Sequence, residues 1–159
     1  MKKGQLFVIS GPSGTGKGTI CKRLIAETDA ALSISMTTRA RRPGEREGES
    51  YFFVPEQVFR DSIGRGDFLE YAEVFGNFYG TPGPWVEERL AAGTDVILEI
   101  DIQGAMKVRR QATKGVFIFI LPPSMSELRR RITGRGTESP EDIDTRLREA
   151  LKELSYLEK

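Results

Sequence analysis

The 159-residue sequence contains no histidine and a single cysteine, Cys21. Without histidine, imidazole-based catalytic triads and most transition-metal sites are excluded, while phosphate chemistry stays open. One cysteine can neither close an intrachain disulfide nor build a cysteine zinc site, and it fits a reducing compartment. Charge of one sign is not in excess: 24 Lys and Arg stand against 23 Asp and Glu, so bulk attraction to nucleic acid is not expected. The apolar run in the opening "MKKGQLFVIS" is too short for a secretory signal, and no stretch is long enough for a membrane span. Repeats and low-complexity linkers are missing too. These absences lead us to expect a cytoplasmic chain with no nucleic-acid, membrane or obligate protein partner. Its length suits one domain with a core of its own.

What is present begins with glycine. The stretch "GPSGTGKGT" follows the phosphate-loop pattern G-x-x-x-x-G-K-[S/T] through Lys17 and departs from it at Gly18, where a magnesium-binding hydroxyl is usual. Leu6 to Ser10 reads as a buried strand feeding the loop, and residues 15–27 have helical spacing, with Ile20, Leu24 and Ile25 on one face. Strand, glycine loop and helix in this order let backbone N–H groups cradle phosphate oxygens. The candidate nucleotide-phosphate-binding residues are therefore Gly11, Pro12, Ser13, Gly14, Thr15, Gly16, Lys17, Gly18 and Thr19, with Lys17 reaching the β- and γ-phosphates. Magnesium must then be held mainly by phosphates, waters and an acid elsewhere. Glu99 and Asp101 end the strand-like run 95–101, at the sheet edge where ligands bind in open α/β folds, and Glu99 acting through water is the candidate.

A third buried-strand pattern lies at 115–123, and each of these later runs follows a helix-like segment, which predicts βα alternation around a parallel sheet. Between the first two strands the texture changes to short aromatic runs, "YFFV", "FLEYAEVF" and "NFYGT", with a helix expected at about 55–63. That predicts a small, partly antiparallel insert. Pro82 and Pro84 read as a helix entry and Gly93 as that helix's close. A helix is expected over "SMSELRRRITG", then a glycine-arginine loop. A long helix follows from Pro140 to Lys159, with Ile143, Leu147, Ala150, Leu154 and Leu157 as its apolar stripe.

The segment "SISMTTRARRPGEREGESYFF" (33–53) carries two arginines, Arg39 and Arg42, around a short turn, and Tyr51 at the start of an aromatic strand. Guanidinium groups grip phosphate bidentately and a phenol adds a directed hydrogen bond, although a charge run by itself is usually a solvated loop. Here the run T-T-R-x-x-R-x-x-E-x-x-G-x-x-Y-x-F, Thr37 to Phe53, resembles the signature of the guanylate kinases. "EYAEVFGNFYGT", "LEIDIQGA", "FILPPS" and "GRGTES" are similar to that family in the same order, so the resemblance covers nearly the whole chain. G-K-G-T also occurs in the family, which makes Gly18 a normal variant.

The resemblance implies an α/β fold: a P-loop three-layer core with a parallel sheet (1–34, 82–129 and 146–159), a small mixed α+β GMP-binding insert (35–81) and a helical lid (130–145). A further strand and helix that usually follow in the family are expected to be absent from this chain. The implied activity is transfer of a phosphoryl group from ATP, with Mg2+, to GMP and also dGMP. Arg39, Arg42, Tyr51 and Tyr79 would hold the acceptor phosphate, while Ser35, Glu70, Thr81 and Asp101 would read the base. Guanine offers N1–H and N2–H₂ donors beside O6, a match for a carboxylate and a hydroxyl that adenine lacks. Lys17, Arg42, Arg131, Arg135 and Arg146 are the implied catalytic cations, and insert and lid are expected to close over the core. Three rivals remain at this level. One is a P-loop kinase for another phosphorylated acceptor. Another is a P-loop GTPase, although no N-K-x-D motif occurs. The last is a non-catalytic scaffold module, a class that typically loses the phosphate loop.

Overall fold

The computed structural model describes residues 3–111, 114–134 and 140–158. In chain order the elements are β1 (Leu6–Ser10), α1 (Lys17–Glu27), β2 (Ala31–Leu32), β3 (Met36–Thr37), β4 (Phe52–Phe53), α2 (Glu56–Arg65), β5 (Phe68–Val74), β6 (Asn77–Pro82), α3 (Gly83–Ala91), β7 (Val96–Glu99), α4 (Ile102–Gln111), β8 (Val116–Phe119), α5 (Met125–Thr133) and α6 (Pro140–Leu154). Four strands, in the order β2-β7-β1-β8 and all parallel, make one sheet. Successive side chains of a strand point to opposite faces, and here that alternation builds three layers. Leu6, Val8, Val96 and Leu98 pack on one face with Val86 of α3 and Ala105 and Val108 of α4. Phe7, Ile9 and Ile97 pack on the other with Cys21, Leu24 and Ile25 of α1.

The sequence pattern predicts three strands in this sheet, and the structure adds a fourth. β2 is two residues long, too short to have any periodicity, and is fixed by its neighbour: Ala31 N–H donates to Asp95 O at 2.8 Å and Ser33 N–H to Ile97 O at 3.0 Å. A second, mixed sheet has the order β4-β3-β6-β5, with β3 parallel to β4 and the other pairs antiparallel. Helix α2 covers it through Phe59, whose ring stacks on Phe68 and Phe78 with centroids 4.5 and 5.5 Å away.

Leu128 and Ile132 of α5 bury against Ala150, Ile143 and Leu147 of α6, the first three members of the expected apolar stripe. The helix stops being α-helical earlier than its pattern suggests, tightening to a 3₁₀ turn over Ser155–Glu158. The same α5 side chains press on the phosphate loop: a Cβ at Gly14 would stand 3.1 Å from both Ile132 Cγ1 and Leu128 Cδ1. No helix among the described residues is long and apolar enough to cross a membrane.

Candidate active site

The phosphate loop connects β1 to α1. Gly11 has φ 138° and a Cβ there would lie 2.4 Å from Ile120 O, so only glycine fits beside the end of β8. Gly16 caps α1 in the left-handed conformation, with no capping side chain and no acidic residue in the first turn. The orphan N–H groups of that turn are therefore left for an anionic ligand. Thr15 turns inward, its hydroxyl donating to Pro12 O at 2.9 Å, and both residues brace the loop from beneath. Lys17 Nζ donates to the carbonyls of Gly11 and Pro12. Burial lowers its pKa, against the pull of Glu99, Glu153 and Asp101.

A cleft of ≈ 490 Å³ opens between this loop and the small sheet. It is lined on the loop side by Gly11, Ser13, Gly14, Gly16, Lys17, Gly18 and Thr19, and on the sheet side by Ser35, Arg39, Arg42, Tyr51, Glu70 and Tyr79. Glu99 and Asp101 lie on its floor and Arg146 of α6 reaches its rim. Sequence-predicted residues from six separate segments thus meet in one cavity.

Arg39 is already oriented. Its guanidinium forks onto Glu45, with Nη2 2.7 Å from Oε1 and Nη1 3.1 Å from Oε2, and Nε donates to Tyr79 Oη at 3.2 Å. Burial works against this charge, and the hydrogen bonds it donates to Glu45 and Tyr79 outweigh it, raising the pKa. Glu45 also accepts from Arg42 N–H at 2.8 Å, so one carboxylate sets the whole arginine turn. Glu45 lies in the quoted motif, but its positioning role is visible only in three dimensions. Tyr51 stacks edge-on to Tyr79 at 5.9 Å and beneath Arg39 at 5.4 Å.

Glu70 and Thr81 face each other across β5 and β6, and Thr81 Oγ1 donates to Glu70 Oε1 at 2.6 Å. Thr81 touches the cleft only through that carboxylate. Burial pushes Glu70 up to about 7, opposed by the Thr81 hydroxyl and reinforced by Asp101. Asp101 caps α4, accepting from the N–H groups of Gly104 at 3.1 Å and Gln103 at 3.3 Å. Burial raises its pKa and these N–H groups oppose the rise. Glu70 stands so close to this helix start that a Cβ at Gly104 would lie 2.5 Å from Glu70 Oε2. A glycine inside a helical pattern was the available sequence signal for that approach.

Arg131 reaches the site from behind: it donates to Thr15 O at 3.3 Å and is steadied by Glu127 at 2.7 Å. Arg135 lies outside the described residues. Glu153 of α6 also lines the cleft, with Oε2 buried and lacking a hydrogen-bond partner, and burial pushes it up to about 7. Nothing in its charged helical context singled it out. Among the described residues no three His, Cys, Asp or Glu side chains converge on a cation site. A Cβ at Gly18 would lie 3.4 Å from Glu99 Oε1. One carboxylate beside a loop with glycine at position 18, where a hydroxyl is usual, suits a magnesium ion bound chiefly by phosphate and water.

Comparisons with known proteins identify the family and the fold. The family model for guanylate kinase matches residues 3–158. The chain belongs to the guanylate kinase family. It is 56% identical over 159 residues to the guanylate kinase of Clostridium tetani, covering all of this chain and 76% of that protein. It is 57% identical to the guanylate kinase of Caldanaerobacter subterraneus, covering 99% of this chain and 77% of that protein. Among solved structures, the crystal structure of guanylate kinase from Anaplasma phagocytophilum superposes with a TM-score of 0.82 at 38% identity, over 99% of this chain and 74% of that one. The three-layer core, parallel sheet and helices expected of a guanylate kinase are all present.

Proposed function

We propose that this guanylate kinase binds ATP on the phosphate loop and GMP on the small sheet, and transfers the γ-phosphoryl group directly between them. The observation that carries this reading is that Lys17 and the arginine-tyrosine-glutamate set line one cleft from opposite sides. The acceptor is a phosphate oxygen, ionised at neutral pH, so no strong general base is required and the lack of histidine is immaterial. Catalysis then rests on alignment and on positive charge around the transferring group. Arg42, whose guanidinium has no hydrogen bond or ion pair with a described residue, aims the acceptor beside the prearranged Arg39, Tyr51 and Tyr79. Glu70, with Thr81, takes the guanine N–H donors, and Ser35 and Asp101 complete the base site. Lys17, Arg131, Arg135 and Arg146 neutralise the developing charge. A magnesium ion carried in with ATP would supply further charge neutralisation, with Glu99 holding its water. Residues 35–81 and 130–145 act as the parts that close and exclude water, without which ATP would be hydrolysed.

A coupled assay of ADP release with GMP, dGMP, AMP and UMP tests this directly. Release should depend on GMP or dGMP, and equal rates with AMP would remove the base-reading assignment. A second prediction concerns Gly104. Alanine there must push the Glu70 carboxylate, which Thr81 fastens from the other side. Gly104→Ala should raise the GMP KM about tenfold, the cost of one disturbed hydrogen bond to a charged group, and leave the ATP KM unchanged. An equal rise in both constants would mean general damage to α4 rather than displacement of Glu70.

A further inference from the structure

Strands β5 and β6 are joined by the two-residue turn Phe75–Gly76, with φ of 50° and 72°. Two positive φ values in a two-residue hairpin loop define the primed turn that Asn-Gly or Asp-Gly normally occupies. Phe75 is the only non-glycine residue with positive φ among the described residues. For a bulky side chain this conformation is a real outlier, and such residues cluster where function needs them. The turn is held from both sides: Val74 pairs with Asn77, and Asn77 Nδ2 donates to Phe75 O at 3.1 Å. The Phe75 side chain is not drawn into a core in return, since it stays 53% exposed. Its ring lines the nucleotide cleft instead, and the Arg146 guanidinium of α6 lies over it at 6.0 Å.

We propose that Phe75 is a positioning residue for Arg146, its ring acting as a platform that joins the tip of the GMP-side sheet to the helix bearing a transfer-site arginine. A ring face attracts a guanidinium and, being flat, fixes its plane without occupying its N–H donors. The left-handed backbone aims the ring: at negative φ the same side chain would leave the hairpin tip in another direction. The contact also spans the cleft, so Arg146 is set relative to the side that holds the acceptor. This inference rests on the ATP and GMP reading of the cleft.

The test uses Phe75→Asn, since asparagine tolerates the left-handed turn and lacks the ring, with Phe75→Tyr as the variant that keeps the ring. Phe75→Asn should melt at or above the wild-type temperature yet lose about tenfold in kcat, the value of a partly desolvated cation–π contact, with GMP and ATP KM within twofold. Phe75→Tyr should restore kcat. In an Arg146→Lys background the asparagine substitution should cost little more, because the interaction it removes is already weakened. Wild-type kcat for Phe75→Asn would overturn the proposal, as would a loss undiminished in the Arg146→Lys background. A fall in melting temperature and rate together that tyrosine does not rescue would overturn it too, marking the ring as purely structural. Failure of the wild-type chain to release ADP in the presence of GMP would instead sink the underlying reading.

Discussion

Glu70→Gln should make this protein more heat-stable at pH 8 and a far poorer GMP kinase. Glu70 is 6% exposed, and burial pushes its carboxyl up to about 7 from an ordinary 4.5. A carboxyl whose folded pKa lies above its unfolded value stabilises the fold while protonated. That contribution is fully present below pH 4.5 and is lost as pH rises through about 7. Keeping the ionised group buried at pH 8 therefore costs about 3 kcal/mol. Glutamine is neutral and its carbonyl still accepts from Thr81 Oγ1, so the cost disappears and the melting temperature should rise by several degrees. At pH 5 the gain should shrink, because the wild-type side chain is then protonated.

The same exchange turns an acceptor towards guanine into an amide N–H₂ that opposes the base's own donors. Leaving buried donors unmatched costs several kcal/mol, so kcat/KM for GMP should fall by about 10²-fold or more. Wild-type GMP KM should itself climb as pH drops below about 7, where binding must first expel the Glu70 proton. The glutamine variant should lack that climb. Scanning fluorimetry at both pH values and GMP KM across the range check these claims together. A lower melting temperature at pH 8, or an unaltered GMP-to-AMP preference, would end the assignment.

How much of this was legible in the sequence depends on how local each feature is. The phosphate loop is contiguous, and glycine, lysine and the preceding apolar strand all lie within Leu6–Thr19, so it could be read directly. Core strands β1, β7 and β8 declare themselves as apolar runs, and α2 and α3 by spacing and proline. Arg39, Arg42 and Tyr51 were found through a motif, but the fork that orients Arg39 depends on the path of the loop between them, which spacing does not encode. Glu70 and Thr81 meet because the hairpin register sets them opposite, a pairing that a bulge near Phe68 shifts. Phe75 and Glu153 remained invisible for a different reason. Each has an ordinary local explanation, a hairpin aromatic and a helix-surface acid, and only the three-dimensional fold shows that both line the cleft. β2 owes its existence to β7 alone and left no trace in composition.

Lys17→Met carries the largest expected loss of rate. The methionine stem fills the same space beside the loop, and the positive charge goes. In the wild-type cleft, Glu99, Glu153 and Asp101 all act electrostatically on Lys17, so its ammonium offsets three carboxylates near the place assigned to the β- and γ-phosphates. Without it, those carboxylates lose the cation that lies nearest the loop, and their repulsion of the polyphosphate is less fully offset. Removing a preorganised charge from a transfer site costs about 10²–10³ in kcat, and ATP affinity should fall as well because the cleft becomes net repulsive. Lys17→Arg should recover affinity more than rate, since a planar fork cannot take the place of a compact ammonium bound to the Gly11 and Pro12 carbonyls. The stability effects oppose each other: burying an ammonium is no longer necessary, but Glu99 loses its counter-charge. Melting within a few degrees of wild type is therefore expected, which separates lost chemistry from lost fold. Calorimetric titration with ATP and single-turnover rapid quench measure the two effects separately. A Lys17→Met protein that binds ATP weakly yet turns over at the wild-type rate would show that the lysine anchors the nucleotide and contributes nothing to transfer.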